Sequence, residues 1–158
     1  MNPVSPTAAI AGVTDDMRSL IDALARACDL AFSGTPVFLA YVYGSRVWGQ
    51  PRPDSDLDVG YYCRRDPAGA RLPLSEELRL AGLLSDAVGL EVDLRCLGDA
   101  PLGLRGRVLE EGRRVYVSDE VARVNLERDL LGEYHDYKPE LEALRELRFA
   151  ALAKRARG

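Results

Sequence analysis

Apolar positions along the chain recur at helical spacing first and at strand spacing soon after. Met17, Leu20, Ile21, Leu24 and Cys28 fall three and four residues apart and mark one face of a helix. Thr14-Asp15-Asp16 can cap that helix, and Ser33-Gly34-Thr35-Pro36 stops it after about Phe32. Val37 to Tyr43 is a short apolar, β-branched and aromatic run, which predicts a buried strand ending at Gly44-Ser45. Arg46 to Ser55 holds Gly49, Pro51 and Pro53 and is too broken for a long element. A second strand is expected over Asp56 to Cys63 and a loop over Pro67 to Leu72. A helix opening at Ser75-Glu76-Glu77 should run to about Val88, where Gly89 stops it. Leu90 to Leu97 alternates as a third strand.

Further on, the pattern predicts a short helix over Pro101 to Glu111, ended by Gly112, and a short fourth strand over Val115 to Val117. Ser118-Asp119 caps a last helix from Glu120. Leu130, Tyr134, Tyr137, Leu141 and Leu144 form a stripe at steps of four and three, the usual mark of a core face. Pro139 should kink or split that helix. Met1 to Val13 is expected to be a flexible tail, and the basic end from Lys154 to Gly158 to fray. The order α-β-β-α-β-α-β-α indicates the α/β class, with helices packed on a small sheet. One domain is expected, with a core over 14–118 and a helical extension over 119–158.

Composition narrows the chemistry. The chain has 158 residues, 47% hydrophobic and 29% charged, the profile of a soluble globular domain. No apolar run approaches a membrane span, and Met1 to Val13 lacks the pattern of a secretory signal, so a cytoplasmic location is expected. The net charge of −4 disfavours a free-standing nucleic-acid binder. Cys28, Cys63 and Cys96 are odd in number with no C-x-x-C spacing, which points to buried thiols and away from disulfides or zinc. His135 is the only histidine and lies in a polar stretch, so it reads as a surface residue. Ser-His-Asp and Cys-His catalysis have no partner to use elsewhere in the chain.

The informative chemistry lies on the strands. Asp56 and Asp58 flank Leu57 and therefore share a strand face. Two neighbouring carboxylates repel unless a positive group joins them, and an all-oxygen pair suits Mg²⁺ or Mn²⁺. On the third strand Val92, Leu94 and Cys96 share one face, and Glu91, Asp93 and Arg95 the other. If that strand lies beside the second, Asp93 approaches Asp56 and Asp58. Three such carboxylates are what a two-metal phosphoryl or nucleotidyl transfer site requires. Gly44 allows close backbone approach, and the Ser45 hydroxyl adds a donor for a phosphate. Arg46 and Arg52 in the following loop can offset triphosphate charge.

Gly44-Ser45, a ten-residue spacer, Asp56-Leu57-Asp58 and a later Asp93 resemble the polymerase-β-like nucleotidyltransferase superfamily. The spacer length is that of its minimal members, the MNT proteins. Those often read Gly-Ser-x-Ala-Arg-Gly, where this chain has Gly44-Ser45-Arg46-Val47-Trp48-Gly49. Trp48 stands where arginine is common and is read as covering the core edge. Glu110 to Tyr116, and Tyr134-His135-Asp136-Tyr137-Lys138-Pro139, are similar to segments of MNT antitoxins of the MntA type, found in HEPN/MNT toxin–antitoxin systems.

That resemblance implies a mixed sheet of the polymerase-β type and a Mg²⁺-dependent enzyme, with two ions expected. It implies transfer of AMP from ATP to a tyrosine of a HEPN ribonuclease toxin. Asp56, Asp58 and Asp93 would be the catalytic and metal-holding residues, and Gly44, Ser45 and Arg46 the nucleotide-binding ones. The rival readings are nucleotide transfer to a small molecule of the aminoglycoside kind, and a binding-only antitoxin docking through the Tyr134 and Tyr137 stripe. A nucleic-acid regulator using the basic tail is disfavoured by the net acidity.

Overall fold

The computed structural model describes residues 15–48, 55–64 and 71–157. The elements are α1 (Asp15–Phe32), β1 (Val37–Tyr43), α2 (Ser45–Trp48), β2 (Leu57–Cys63), α3 (Leu74–Val88), β3 (Val92–Cys96), α4 (Leu102–Glu111), β4 (Arg113–Val117) and α5 (Glu120–Arg157). The expected tail over residues 1–13 and Arg52 lie outside the described residues, as does the side chain of Trp48.

The strands form one mixed sheet in the order β3-β2-β1-β4. β1 runs antiparallel to both β2 and β4, and β3 runs parallel to β2 through the α3 crossover. Helices cover both faces. On one face Leu24, Cys28 and Phe32 of α1 and Leu80 and Leu84 of α3 pack on Ala40, Val42, Leu57, Val59 and Tyr61. On the other, Val108 of α4 meets Leu39, Tyr41, Tyr43, Tyr62 and Leu97, with Ala122 and Leu126 of α5 alongside. Every β1 residue is buried, as a central strand covered on both faces requires. β3 alternates buried and exposed, because as an edge strand it is covered on one face only. Asp93 and Arg95 occupy its open face.

Local chemistry sets the element ends. Gly89 closes α3 with φ 72°, and its N–H donates to the Ser85 carbonyl. Pro73 precedes that helix where a Ser75 start is expected, so α3 begins at Leu74. Asp119 Oδ1 accepts the Ala122 N–H at 3.0 Å and caps α5. The three thiols are free and buried, and His135 is exposed beside Glu110. Among the described residues, no helix is long and apolar enough to cross a membrane.

Two expectations for the last helix are corrected. Pro139 does not split the element: α5 runs unbroken for 38 residues. Proline removes one N–H from the helix ladder, but Pro139 is exposed, so water can take the freed carbonyl. Tertiary contacts hold the turn around it. Tyr134 is buried against Gly106, and Glu110 receives His135 at 3.2 Å and Lys138 at 3.3 Å. Helix continues through Arg157 at the basic end. The aromatic stripe is core only at its start. Leu130 and Tyr134 are buried, whereas Tyr137 and Leu144 are half exposed.

Candidate active site

β1 and β2 meet in antiparallel register, with Tyr43 opposite Asp58. β2 and β3 then pair in parallel, with Asp58 opposite Asp93. Because side chains alternate along strands, these pairings place two carboxylates side by side on one sheet face. Asp56 sits one residue ahead of β2 and is exposed, while Asp58 is partly buried. The strand is therefore one residue shorter than the sequence pattern suggests, and Asp56 stands at its mouth.

Gly44 closes β1 with φ 91°, a left-handed conformation that side chains strain to adopt. It has a second reason to be glycine: a Cβ there would overlap Oδ2 of Asp58. The backbone after β1 thus lies directly on the carboxylate. Ser45 is exposed and opens the single turn α2, in which the Val47 N–H donates to the Gly44 carbonyl at 2.9 Å. Arg46, partly exposed, reaches across to the far end of the loop. Its Nε donates to the Ser55 carbonyl at 2.8 Å and ties the two ends of the 46–55 segment together.

The electrostatics agree with this crowding. Asp58 is pushed above the ordinary carboxylate range by burial first, then by repulsion from Asp93 and Asp56, with the Arg95 guanidinium pulling the other way. The Tyr43 hydroxyl is raised by burial and by the negative charge of Asp58 and Asp93, again opposed by Arg95. Arg95 Nη2 stands 3.8 Å from Asp93 Oδ2, an exposed pair.

Sequence reasoning placed Arg95 on this face without giving it a part, and passed over Tyr43. Alternation along β1, which puts Leu39, Tyr41 and Tyr43 on the carboxylate side, is the signal that marks Tyr43.

Among the described residues, no three carboxylate, thiol or imidazole groups converge closely enough to enclose a metal ion. The donor chemistry nonetheless fits a hard divalent cation. Asp58 and Asp93 are oxygen donors that destabilise each other, and the nearest positive group to Asp93 is an exposed guanidinium. A cavity of about 720 Å³ lined by Phe38, Tyr62, Arg105, Leu126 and Leu130 lies toward the start of β1, at the far end of the strands from Gly44. It contains none of the candidate carboxylates.

The family model for polymerase β nucleotidyltransferases matches residues 30–121, more than half of the chain. No curated protein sequence matches it. Among solved structures, a mutant MntA–HpeT toxin–antitoxin is 18% identical with a TM-score of 0.60, covering 77% of this chain and 95% of that one. A toxin–antitoxin structure with AMP-PNP is 19% identical with a TM-score of 0.58, over 77% and 95% of the two chains. A tri-AMPylated Shewanella oneidensis HEPN toxin in complex with MNT antitoxin gives 18% identity and a TM-score of 0.56, over 82% and 95%. These likenesses establish the common fold.

Proposed function

The chain belongs to the polymerase-β nucleotidyltransferase family, and from that premise we propose that it is a Mg²⁺-dependent antitoxin that transfers AMP from ATP to a tyrosine of a HEPN ribonuclease toxin. The observation that carries the reading is the pairing of Asp58 with Asp93 beneath the Gly44 turn. The partner and acceptor are supported by structures of the same fold, one an MNT antitoxin with a tri-AMPylated HEPN toxin and another a toxin–antitoxin with AMP-PNP.

In this reading the Gly44 backbone and the Ser45 hydroxyl receive the triphosphate. Gly44 lets the phosphates approach the carboxylates without a Cβ in the way. Asp56, Asp58 and Asp93 would hold the metal. Bound Mg²⁺ would neutralise phosphate charge and favour the ionised acceptor hydroxyl. The acceptor oxygen bonds to the α-phosphorus in line as the bond to pyrophosphate breaks, and Asp93 would help to take the acceptor's proton. Arg46, bonded to Ser55, serves by fixing the loop that carries Ser45. Residues 14–118 form the catalytic core, and 119–158 extend it as part of the same domain.

The test is intact-mass analysis of a HEPN-family ribonuclease encoded alongside this chain, after incubation with the protein, ATP and Mg²⁺. A gain of one or more AMP units mapped to tyrosine supports the reading. A tight complex with no mass gain would make it a binding-only antitoxin, and neither complex nor transfer would direct attention to small-molecule acceptors.

A further inference from the structure

The last part of α5 stands clear of the domain. Residues 142–157 are all exposed, a rod of roughly 24 Å at 1.5 Å per residue. A helix of that length without a packed face is marginal in water. It nevertheless carries Leu144 and Leu147, at 53% and 66% exposure.

The order along one ridge is specific. Glu140, Leu144, Leu147, Ala151 and Lys154 follow at steps of four, three, four and three, the repeat of a two-helix seam. This ridge is not the one used against α4. Tyr134 covers Gly106, and Leu141 reaches the site of Gly103. The free ridge is turned from Leu141 by roughly 60–140° at 100° per residue.

We propose that this ridge pairs with the same ridge of a second copy, antiparallel, about a two-fold axis at Leu147. Glu140 and Lys154 lie seven residues either side of Leu147. An antiparallel pair centred there sets Glu140 of each copy against Lys154 of the other, and Leu147 against itself. The same register sets Glu146 of each copy against Arg148 of the other, one residue either side of Leu147. A parallel pair would set like charges against each other at both ends. The self-complementary, antiparallel arrangement is the one a closed two-fold interface requires. The proposal does not depend on the chemistry at Asp58.

Sedimentation velocity on the full chain over a concentration series tests it. The expected result is a monomer–dimer equilibrium. Leu147→Glu should abolish the dimer without changing the melting temperature of the monomer, because Leu147 is exposed. Glu140→Lys and Lys154→Glu should each weaken the dimer by on the order of tenfold, and the double swap should restore it. A wild-type chain that stays monomeric throughout would overturn the proposal. So would a dimer indifferent to Leu147→Glu, or a double swap that weakens association further.

Discussion

Asp58 and Asp93 stand opposite each other across the parallel β2–β3 pair, and the repulsion between them helps to hold Asp58 above the ordinary carboxylate range. A protein gains nothing in stability from that placement alone. Asp58→Asn should therefore raise the melting temperature of the metal-free protein. The gain should shrink as pH falls through the raised pKa of Asp58, because the protonated wild-type side chain is already neutral. Differential scanning fluorimetry in chelator at several pH values checks both statements. A variant less stable than wild type at neutral pH would mean that the pair is structural.

Gly44 and Gly89 share a left-handed backbone, at φ 91° and 72°, but differ in surroundings. A Cβ at Gly89 meets nothing within 4 Å, whereas one at Gly44 overlaps Asp58. Gly89→Ala should cost about 1–2 kcal/mol, the conformational penalty alone. Gly44→Ala should cost more in chemical denaturation and should also displace Asp58, lowering transfer activity per folded molecule. Equal costs at the two sites would contradict the close approach.

Burial pushes the Cys28 thiol up to about 12 and the Cys63 thiol up to about 11, from an ordinary value of 9.0. An acidic group whose pKa is raised by folding contributes stability that is complete below its unfolded value and lost as pH rises through the folded one. Stability should therefore fall between about pH 9 and pH 12. The same burial keeps the thiols out of reach of a disulfide reagent at pH 8 until the chain is unfolded. Urea unfolding across that pH range, with Cys28→Ala compared to wild type, measures the effect: the variant should lose less stability on the alkaline side.

Pro139 sits exposed inside an unbroken helix. Replacing it with alanine restores one N–H to the ladder and should stabilise α5, by up to about 3 kcal/mol. Thermal melts followed by far-UV circular dichroism check this. A destabilised Pro139→Ala would mean that the ring makes a contact the helix depends on.

The strands were legible because their signals are local. Val37 to Tyr43 is an unbroken apolar run with a turn at each end, and β1 has those bounds. The alternation of Val92, Leu94 and Cys96 identified the open face of β3 and so the neighbours of Asp93. Pairing order was not legible. Nothing local states that β3 lies beside β2 rather than β1, so the approach of Asp93 to Asp58 stayed conditional until the register was known.

The break expected at Pro139 is absent, and Tyr134, His135 and Lys138 in the turn before it dock on α4. Arg46 read as a nucleotide-binding residue, and the bond its Nε donates to the Ser55 carbonyl, nine residues away, was not foreseen. Such a bond follows from the path of the loop rather than from the residue type.

The central claim is that Asp56, Asp58 and Asp93 carry out nucleotidyl transfer. The most direct measurement follows label from α-³²P-ATP onto the proposed HEPN-family partner with wild type, Asp58→Asn, Asp93→Asn and, as a surface control, Asp136→Asn, each with and without Mg²⁺. The account predicts Mg²⁺-dependent transfer that Asp136→Asn leaves intact. Asp58→Asn and Asp93→Asn should each lower it by more than the roughly 10–100-fold typical of changes around a metal site, with folding unimpaired. Full transfer by folded Asp58→Asn, or undiminished transfer in chelator, would contradict it.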